Sequence, residues 1–282
     1  MRAESEYIYA KELLSKGMSE SAAARHSGIP RVTIRDWLQR GFHPRSERTE
    51  IENPATYINH SEKRRSAYAF ILGEYLGDGC VRTYHRGVFR LDIYNDARYE
   101  GLNQLIEQKL AVILPDNKVG RILQSRNCWD IYVYSKNIPV LFPQMGAGRK
   151  HNRKIRLRPW QIEIIDDYPN EFIKGLIYSD GCIYDNNMKK GGREYSYRSY
   201  SFSNKSKDIA NYLSRSLKRI GIDVAPRWAK NGEIYRTYKM AIYRKRDRLI
   251  LGRFIQRKED IPLKEPAYKR HAVKAGRKAG RH

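Results

Sequence analysis

The chain has 282 residues of which 40% are hydrophobic, enough to bury a core in one or two compact domains. Its 55 Lys and Arg outweigh 31 Asp and Glu to a formal charge of +24, a field that a polyanion, most simply nucleic acid, relieves. No apolar leader or run of about 18 uncharged apolar residues argues for export or a membrane partner, and Cys80, Cys128 and Cys182 form no CxxC pair; the expected home is intracellular, cytoplasmic or nucleoid-associated.

In chain order, residues 5–41 predict three short helices at 7–15, 20–26 and 30–39. Ser19 suits the N-cap of the second, Gly28 a tight turn, and Pro30 a first helical position. The pattern reads as a helix-turn-helix over 1–43, with Ile34, Trp37 and Leu38 packed inward. Arg31 and Arg35 then project from the third helix toward DNA base edges. Residues 44–66 thin out in apolar content and carry two prolines, which predicts a tether.

The remainder repeats one order of elements. An apolar helix over 67–76 ends in Asp78 and Gly79, and another over 172–178 ends in Asp180 and Gly181. In the first copy, strand-like runs at 88–94 and 129–134 flank a helix over 97–111, with a short helix after Ser135. In the second, runs at 195–202 and 235–243 flank a helix over 207–220, with a short helix from Lys245. Asp180 follows Asp78 by 102 residues and Asn204 follows Asn95 by 109, so the halves keep pace. A duplication of this length predicts two pseudo-symmetric lobes, 67–158 and 159–262. Residues 263–282 are small and basic without apolar period, as expected of a flexible arm.

Gly73 and Gly77 share a helix face in ILGEYLGDG, as do Gly175 and Ser179 in IKGLIYSDG. Glycine is costly inside a helix, so matched glycines predict that the two helices pack backbone to backbone. Asp78 and Asp180 would then meet at the helix C-termini, where their mutual repulsion calls for a cation. Oxygen-only ligands near a polyanion favour Mg²⁺ or a similar divalent ion. Taken singly, each Asp-Gly also reads as a plain C-terminal turn.

These paired stretches resemble the signature helices of the LAGLIDADG homing endonucleases in their single-chain form, over roughly residues 67–262. Leu76 and Tyr178 depart from the motif by replacing its first acid. The resemblance implies an α+β fold of two αββαββα lobes forming a DNA-binding saddle. It also implies that Asp78 and Asp180 hold the metal ions that cut one strand apiece. A polar residue at a strand end and a lysine after the third helix of each lobe belong to the same implied site. Asn95 in LDIYND and Asn204 in SFSNKS fit the first place, although both also suit helix capping. Lys150 and Lys258 fit the second, with Lys154 a rival in the first lobe.

Among the tyrosine- and arginine-rich strands, alternation places Arg198, Tyr200, Tyr235, Thr237 and Lys239 on an open face suited to phosphates and base edges. Cys80 and Cys182 are expected as small buried residues between the lobes. The expected function is site-specific, metal-dependent cleavage of double-stranded DNA by a monomer acting as a pseudo-dimer. The alternatives are a non-cleaving transcriptional regulator on the same saddle and a maturase whose partner is intron RNA.

Overall fold

The computed structural model describes residues 4–40, 50–125, 127–231 and 235–263, in two compact units, Met1–Glu50 and Ile51–His282. Among the described residues no helix is long and apolar enough to cross a membrane.

The first unit is three helices, α1 (Glu4–Ser15), α2 (Glu20–Ser27) and α3 (Arg31–Arg40). Ser19 Oγ accepts from the Ala22 amide at 3.3 Å, satisfying an otherwise unpaired N–H at the start of α2. Gly28 ends that helix at φ +68°, a conformation glycine adopts without strain. Ala10, Leu13, Ala23, Ile29 and Ile34 form a small core with Trp37 packed at its edge. Leu38, expected inside, is 53% exposed. It lies four residues beyond Ile34, in the last turn of α3.

The second unit contains α4 (Pro54–Asn59), α5 (Glu62–Asp78), β1 (Gly79–Thr83), β2 (Phe89–Asp96), α6 (Glu100–Ile113), β3 (Val119–Gln124), β4 (Cys128–Ser135) and α7 (Ile138–Leu141). The chain continues through α8 (Pro159–Asp167), α9 (Pro169–Asp180), β5 (Gly181–Lys190), β6 (Arg193–Asn204), α10 (Lys207–Arg219), β7 (Arg227–Asn231), β8 (Tyr235–Ile242) and α11 (Lys245–Gly252). Two antiparallel four-stranded sheets result, ordered β1-β2-β4-β3 and β5-β6-β8-β7. The order is the same in both, as a duplication requires, and the fold is α+β with two matching lobes. Register matches as well: Gly79 pairs with Ile93 and Gly181 with Phe202, so Asn95 and Asn204 fall on equivalent positions two residues further along.

Leu91, Ile93, Ile131 and Val133 alternate onto the helix-covered face of the first sheet, and Tyr200, Phe202, Met240 and Ile242 do the same in the second. Every residue from Ala67 to Leu76 is buried, because α5 is covered on all sides.

The tether expected over 44–66 is corrected where it is described; residues 41–49 lie outside the described residues. Asn53 caps α4 by accepting from the Thr56 amide at 3.2 Å, with Pro54 in the first turn. Ile51 and Ile58 are buried in the main core, and Tyr57 donates to the Ile113 carbonyl at 2.7 Å. The polar, proline-bearing composition that reads as a linker is here the cap and first turn of a helix. The basic arm beyond Leu263 lies outside the described residues.

Candidate active site at the helix crossing

The site begins with glycine. A Cβ on Gly73 would stand 2.7 Å from the Phe172 carbonyl oxygen and 2.9 Å from the Leu176 amide nitrogen; one on Gly175 would stand 3.0 Å from the Glu74 amide nitrogen. Such distances admit no side chain, so α5 and α9 touch through their main chains. Gly77 continues the contact one turn on, where a Cβ would meet the Ser179 side chain and come within 3.1 Å of Asp180 Oδ2. The crossing thereby delivers the C-termini of both helices, with Asp78 and Asp180, to one place. Ser179 keeps its hydroxyl inside its own helix, donating to the Gly175 and Leu176 carbonyls.

The acids act on each other. Burial first, and then the charge of Asp180, push the Asp78 carboxyl up to about 6, against the opposing pull of Lys258 and Lys150. Burial also raises Asp180, with Asn204, Lys150 and Lys258 working the other way. Two half-buried carboxylates at helix C-termini form a site whose charge favours a cation.

Lys150 and Lys258 supply the positive charges, from the loop after α7 and from a 3₁₀ turn (Lys258–Asp260) after α11. Lys150 Nζ donates to the carbonyls of Tyr75, Gly77 and Gly79, the last two at 3.0 and 2.8 Å. Its three protons thus cap the end of α5, and burial brings its ammonium down to about 8. The rival Lys154 is exposed and takes no part in this cap. Lys258 lies with Nζ 5.5 Å from the Tyr99 ring centroid, so a residue of the second half reaches the first lobe. The same segment holds its place because the Ile261 carbonyl occupies the space a Gly101 side chain would fill.

Asn204 and Asn95, equivalent by register, behave differently. Asn204 Nδ2 donates to Asp180 Oδ2 at 2.6 Å, and its Oδ1 accepts from the Ser206 amide at 2.6 Å. Asn95 Nδ2 donates to Asn103 Oδ1 at 3.0 Å, away from the acid pair. Neither caps a helix; Ser206 does so for α10.

A cavity of about 860 Å³ opens beside the pair, lined by Asp180, Asn204 and Lys150 together with Arg82, Arg153 and Lys205. On the open face of the first sheet, Arg82 and Arg90 clamp Asp92 and Asp130. Arg82 Nη2 lies 2.8 Å from Asp92 and Arg90 Nη2 2.6 Å from Asp130, and both acids are buried. This network was not expected, though the alternation of Arg90, Asp92 and Tyr94 with Leu91 and Ile93 carries its signal. Glu74 was missed too: a carboxyl 2% exposed, one turn before Asp78, in a run that is otherwise apolar.

The DNA-facing assignment of Arg198 and Tyr200 is corrected. Tyr200 is fully buried among Phe202 and Ile242, and Arg198 shares its strand face. The opposite parity of β6, with Ser201 and Ser203, is the open one. Ser203 pairs there with Lys239, whereas the Thr237 hydroxyl is buried. The side chain of Tyr235 lies outside the described residues. Cys182 is exposed and Cys80 half-buried, since both sit at the starts of edge strands and not between the helices. In the first unit, Arg31 Nε and Arg35 Nη2 both engage Glu20 Oε2, at 3.3 and 2.9 Å, on side chains about half exposed.

Residues 167–256 match the family model of the LAGLIDADG-like domain. No curated protein matches the chain. Among solved structures, a set of mesophilic variants of the homing endonuclease I-DmoI is 18% identical, covering 69% of this chain and 97% of that one at a TM-score of 0.45. An I-DmoI variant in complex with its target DNA and magnesium is also 18% identical, with 69% and 98% covered and a TM-score of 0.47. Full-length DUF199/WhiA from Thermatoga maritima is 15% identical, with 74% and 62% covered and a TM-score of 0.41.

Proposed function

With residues 167–256 forming a LAGLIDADG-like domain, we propose that the chain is a site-specific, divalent-metal-dependent endonuclease acting on double-stranded DNA. One observation carries the reading: glycine-mediated contact of α5 and α9 brings Asp78 and Asp180 together beside two lysines, in a chain of net charge +24. A packing role alone does not call for two carboxylates whose ionisation each opposes the other.

The donor set fits a hard divalent ion such as Mg²⁺. Among the described residues no three His, Cys, Asp or Glu side chains gather into a cage, so Asp78 and Asp180 would hold the ion while water and phosphate oxygens complete its shell. Such an ion, when bound, would supply a water that gives up a proton readily enough to become the nucleophile and would offset charge on the departing 3′ oxygen. The chain's own residues prepare the place. Asn204 fixes the orientation of the Asp180 carboxylate. Lys150 acts from behind, since its protons are spent on the carbonyls of α5; it holds that helix end and offsets the charge of Asp78. Lys258, whose charge acts on both acids, is the cation available to phosphate. Lys239 on the open strand face contacts the duplex further out, and the three-helix unit adds DNA affinity through Arg31 and Arg35 by raising effective concentration.

A non-cleaving DNA-binding regulator is favoured by a single observation, that Asn95 is turned from the acids into Asn103. Supercoiled DNA carrying candidate sites, incubated with Mg²⁺, separates the two readings. The endonuclease produces double-strand breaks that Asp78→Asn or Asp180→Asn reduces to nicks or abolishes. Tight binding with intact DNA under all conditions would establish the regulator.

A further inference from the structure

The helix-covered face of the second sheet departs from the first at two matched positions. Gly79 pairs with Ile93 and Gly181 with Phe202, so Tyr200 stands where the first lobe has Leu91, and Arg198 where it has Phe89. Leu91 and Phe89 belong to the apolar packing of the first lobe. Tyr200 is fully buried, yet among the described residues its hydroxyl has no hydrogen-bond partner, a cost that leucine avoids. Burial pushes its phenol up, and the charges of Arg198 and Arg248 act the other way. The short helices that end the lobes differ in the same sense. α7 is the apolar IPVL, whereas α11 carries Lys245 and Arg248 on the face that continues to Gly252.

These residues meet at a cavity of about 830 Å³, lined by Arg198, Tyr200, Lys245, Arg248 and Arg253. It faces the helices, so it lies across the sheet from Ser203 and Lys239. Among the described residues none of its four cations pairs with a carboxylate, and Asp185 on its wall is engaged by Arg257. Arg248 is held in place: Nε donates to the Tyr243 carbonyl at 2.9 Å, Nη1 to the Arg198 carbonyl at 3.2 Å, and the guanidinium lies 3.9 Å from the Tyr197 ring centroid. A Cβ on Gly252 would stand 3.6 Å from the Tyr200 hydroxyl, so glycine there keeps side-chain atoms off that oxygen. Three guanidiniums, an ammonium and a buried hydroxyl offer N–H and O–H groups in more directions than a carboxylate can accept. A phosphoryl group, with its several acceptor oxygens, matches them. We propose that this cavity is a phosphate-binding site on the side of the second lobe away from the open strand face. Arg198 and the Tyr200 hydroxyl form its floor, with Lys245, Arg248 and Arg253 around it. The site goes beyond the endonuclease reading and does not depend on it.

The test uses the full-length protein without metal. Inorganic pyrophosphate is titrated calorimetrically at low salt into the parent and into Arg198→Gln, Arg253→Gln, Tyr200→Phe and Lys207→Gln, the last removing an exposed charge from α10. Binding is expected to weaken about 10-fold with each arginine change and several-fold with Tyr200→Phe, and to stay at the parent's level in Lys207→Gln. Tyr200→Phe is expected to melt at or above the parent's Tm, because it deletes a hydroxyl that has no partner. A trinucleotide without terminal phosphate, titrated alongside, separates the sources of the ligand. Where the same variants weaken both, tighter binding of pyrophosphate assigns a free phosphate and tighter binding of the trinucleotide a nucleic-acid backbone. Pyrophosphate that does not bind, or binds every protein alike, would overturn the proposal. So would a loss in Lys207→Gln as large as in Arg198→Gln, the mark of a diffuse positive field. DNA left intact in the cleavage assay would sink the endonuclease reading and leave this titration unaffected.

Discussion

Asn204 holds Asp180 through a 2.6 Å hydrogen bond, while Asn95, its register equivalent, is bound to Asn103. The two halves of the site are therefore chemically unequal. A hydrogen bond to a charged group contributes about 1.5–3 kcal/mol, so Asn204→Ala is expected to slow the cut of one strand by roughly 10- to 100-fold and leave nicked DNA. Asn95→Ala is expected to lower stability by about 1–3 kcal/mol through the stranded Asn103 amide, with the two strands cut in unchanged proportion. A duplex labelled differently on each strand, with a melting curve for each variant, reads both outcomes.

The helix crossing tolerates no added methyl. Gly73→Ala and Gly175→Ala each insert a carbon within 3.0 Å of main-chain atoms of the partner helix, and each is expected to cost about 1–3 kcal/mol or more. Gly146→Ala serves as the control, because its nearest neighbour is the Arg153 guanidinium at 3.5 Å. Denaturant unfolding should show lower midpoints for the first two and little change for the third.

Asp78 carries a pH signature. Its carboxyl stands at about 6 in the folded protein against 3.8 in the free side chain. The folded state therefore binds the extra proton between those values, and this group's contribution to stability falls as pH rises from about 4 to about 6. Asp78→Asn removes that loss. In the ion-free protein at pH 7.5 the variant is expected to be more stable by on the order of 2 kcal/mol, the difference vanishing below about pH 4. Chemical denaturation across pH 3.5–8 checks the sign.

A divalent ion should reverse the same repulsion. Ca²⁺ or Mg²⁺ at about 100 times its dissociation constant stabilises the folded state by about 2.7 kcal/mol. Asp78→Asn and Asp180→Asn are each expected to lose most of that gain, and chelator to restore the ion-free Tm. A metal-independent Tm in the parent would contradict the assignment.

Lys150 sets an upper pH limit. Burial has brought its ammonium to about 8, so above that pH the charge behind Asp78 disappears and the three carbonyls at the end of α5 share two N–H donors where they had three. Cleavage by the parent is expected to decline above about pH 8, while Lys150→Arg, charged throughout, keeps its rate there relative to its own neutral-pH value. Single-turnover rates from pH 6.5 to 9.5 make the comparison.

The architecture was legible where covalent pattern and tertiary structure agree. Matched glycines at 73 and 175 announced the crossing, and hydrophobic alternation through Leu91 and Ile93 marked the core face of a strand. The face of β6 was not legible. SYSFSN alternates small polar with aromatic residues, and tyrosine suits a wet face as readily as a dry one; only pairing with Ile183 and Ile242 settles Tyr200 inside. The stretch at 50–66 failed for a related reason: Ile51 and Ile58 are too few to show a period, yet both are buried by a core formed elsewhere in the chain. Glu74 was visible as a lone acid in an apolar run, but its burial depends on helices formed elsewhere in the chain.

Because α5 and α9 meet main chain on main chain, the span between the two acids is not adjustable by any exchange of side chains. The sheets are free of that restriction. On the endonuclease reading, recognition of a new sequence can drift through substitutions on the outer strands, whereas the offset between the two incisions, and so the length of the overhang, stays locked to the geometry of Gly73, Gly77, Gly175 and Ser179.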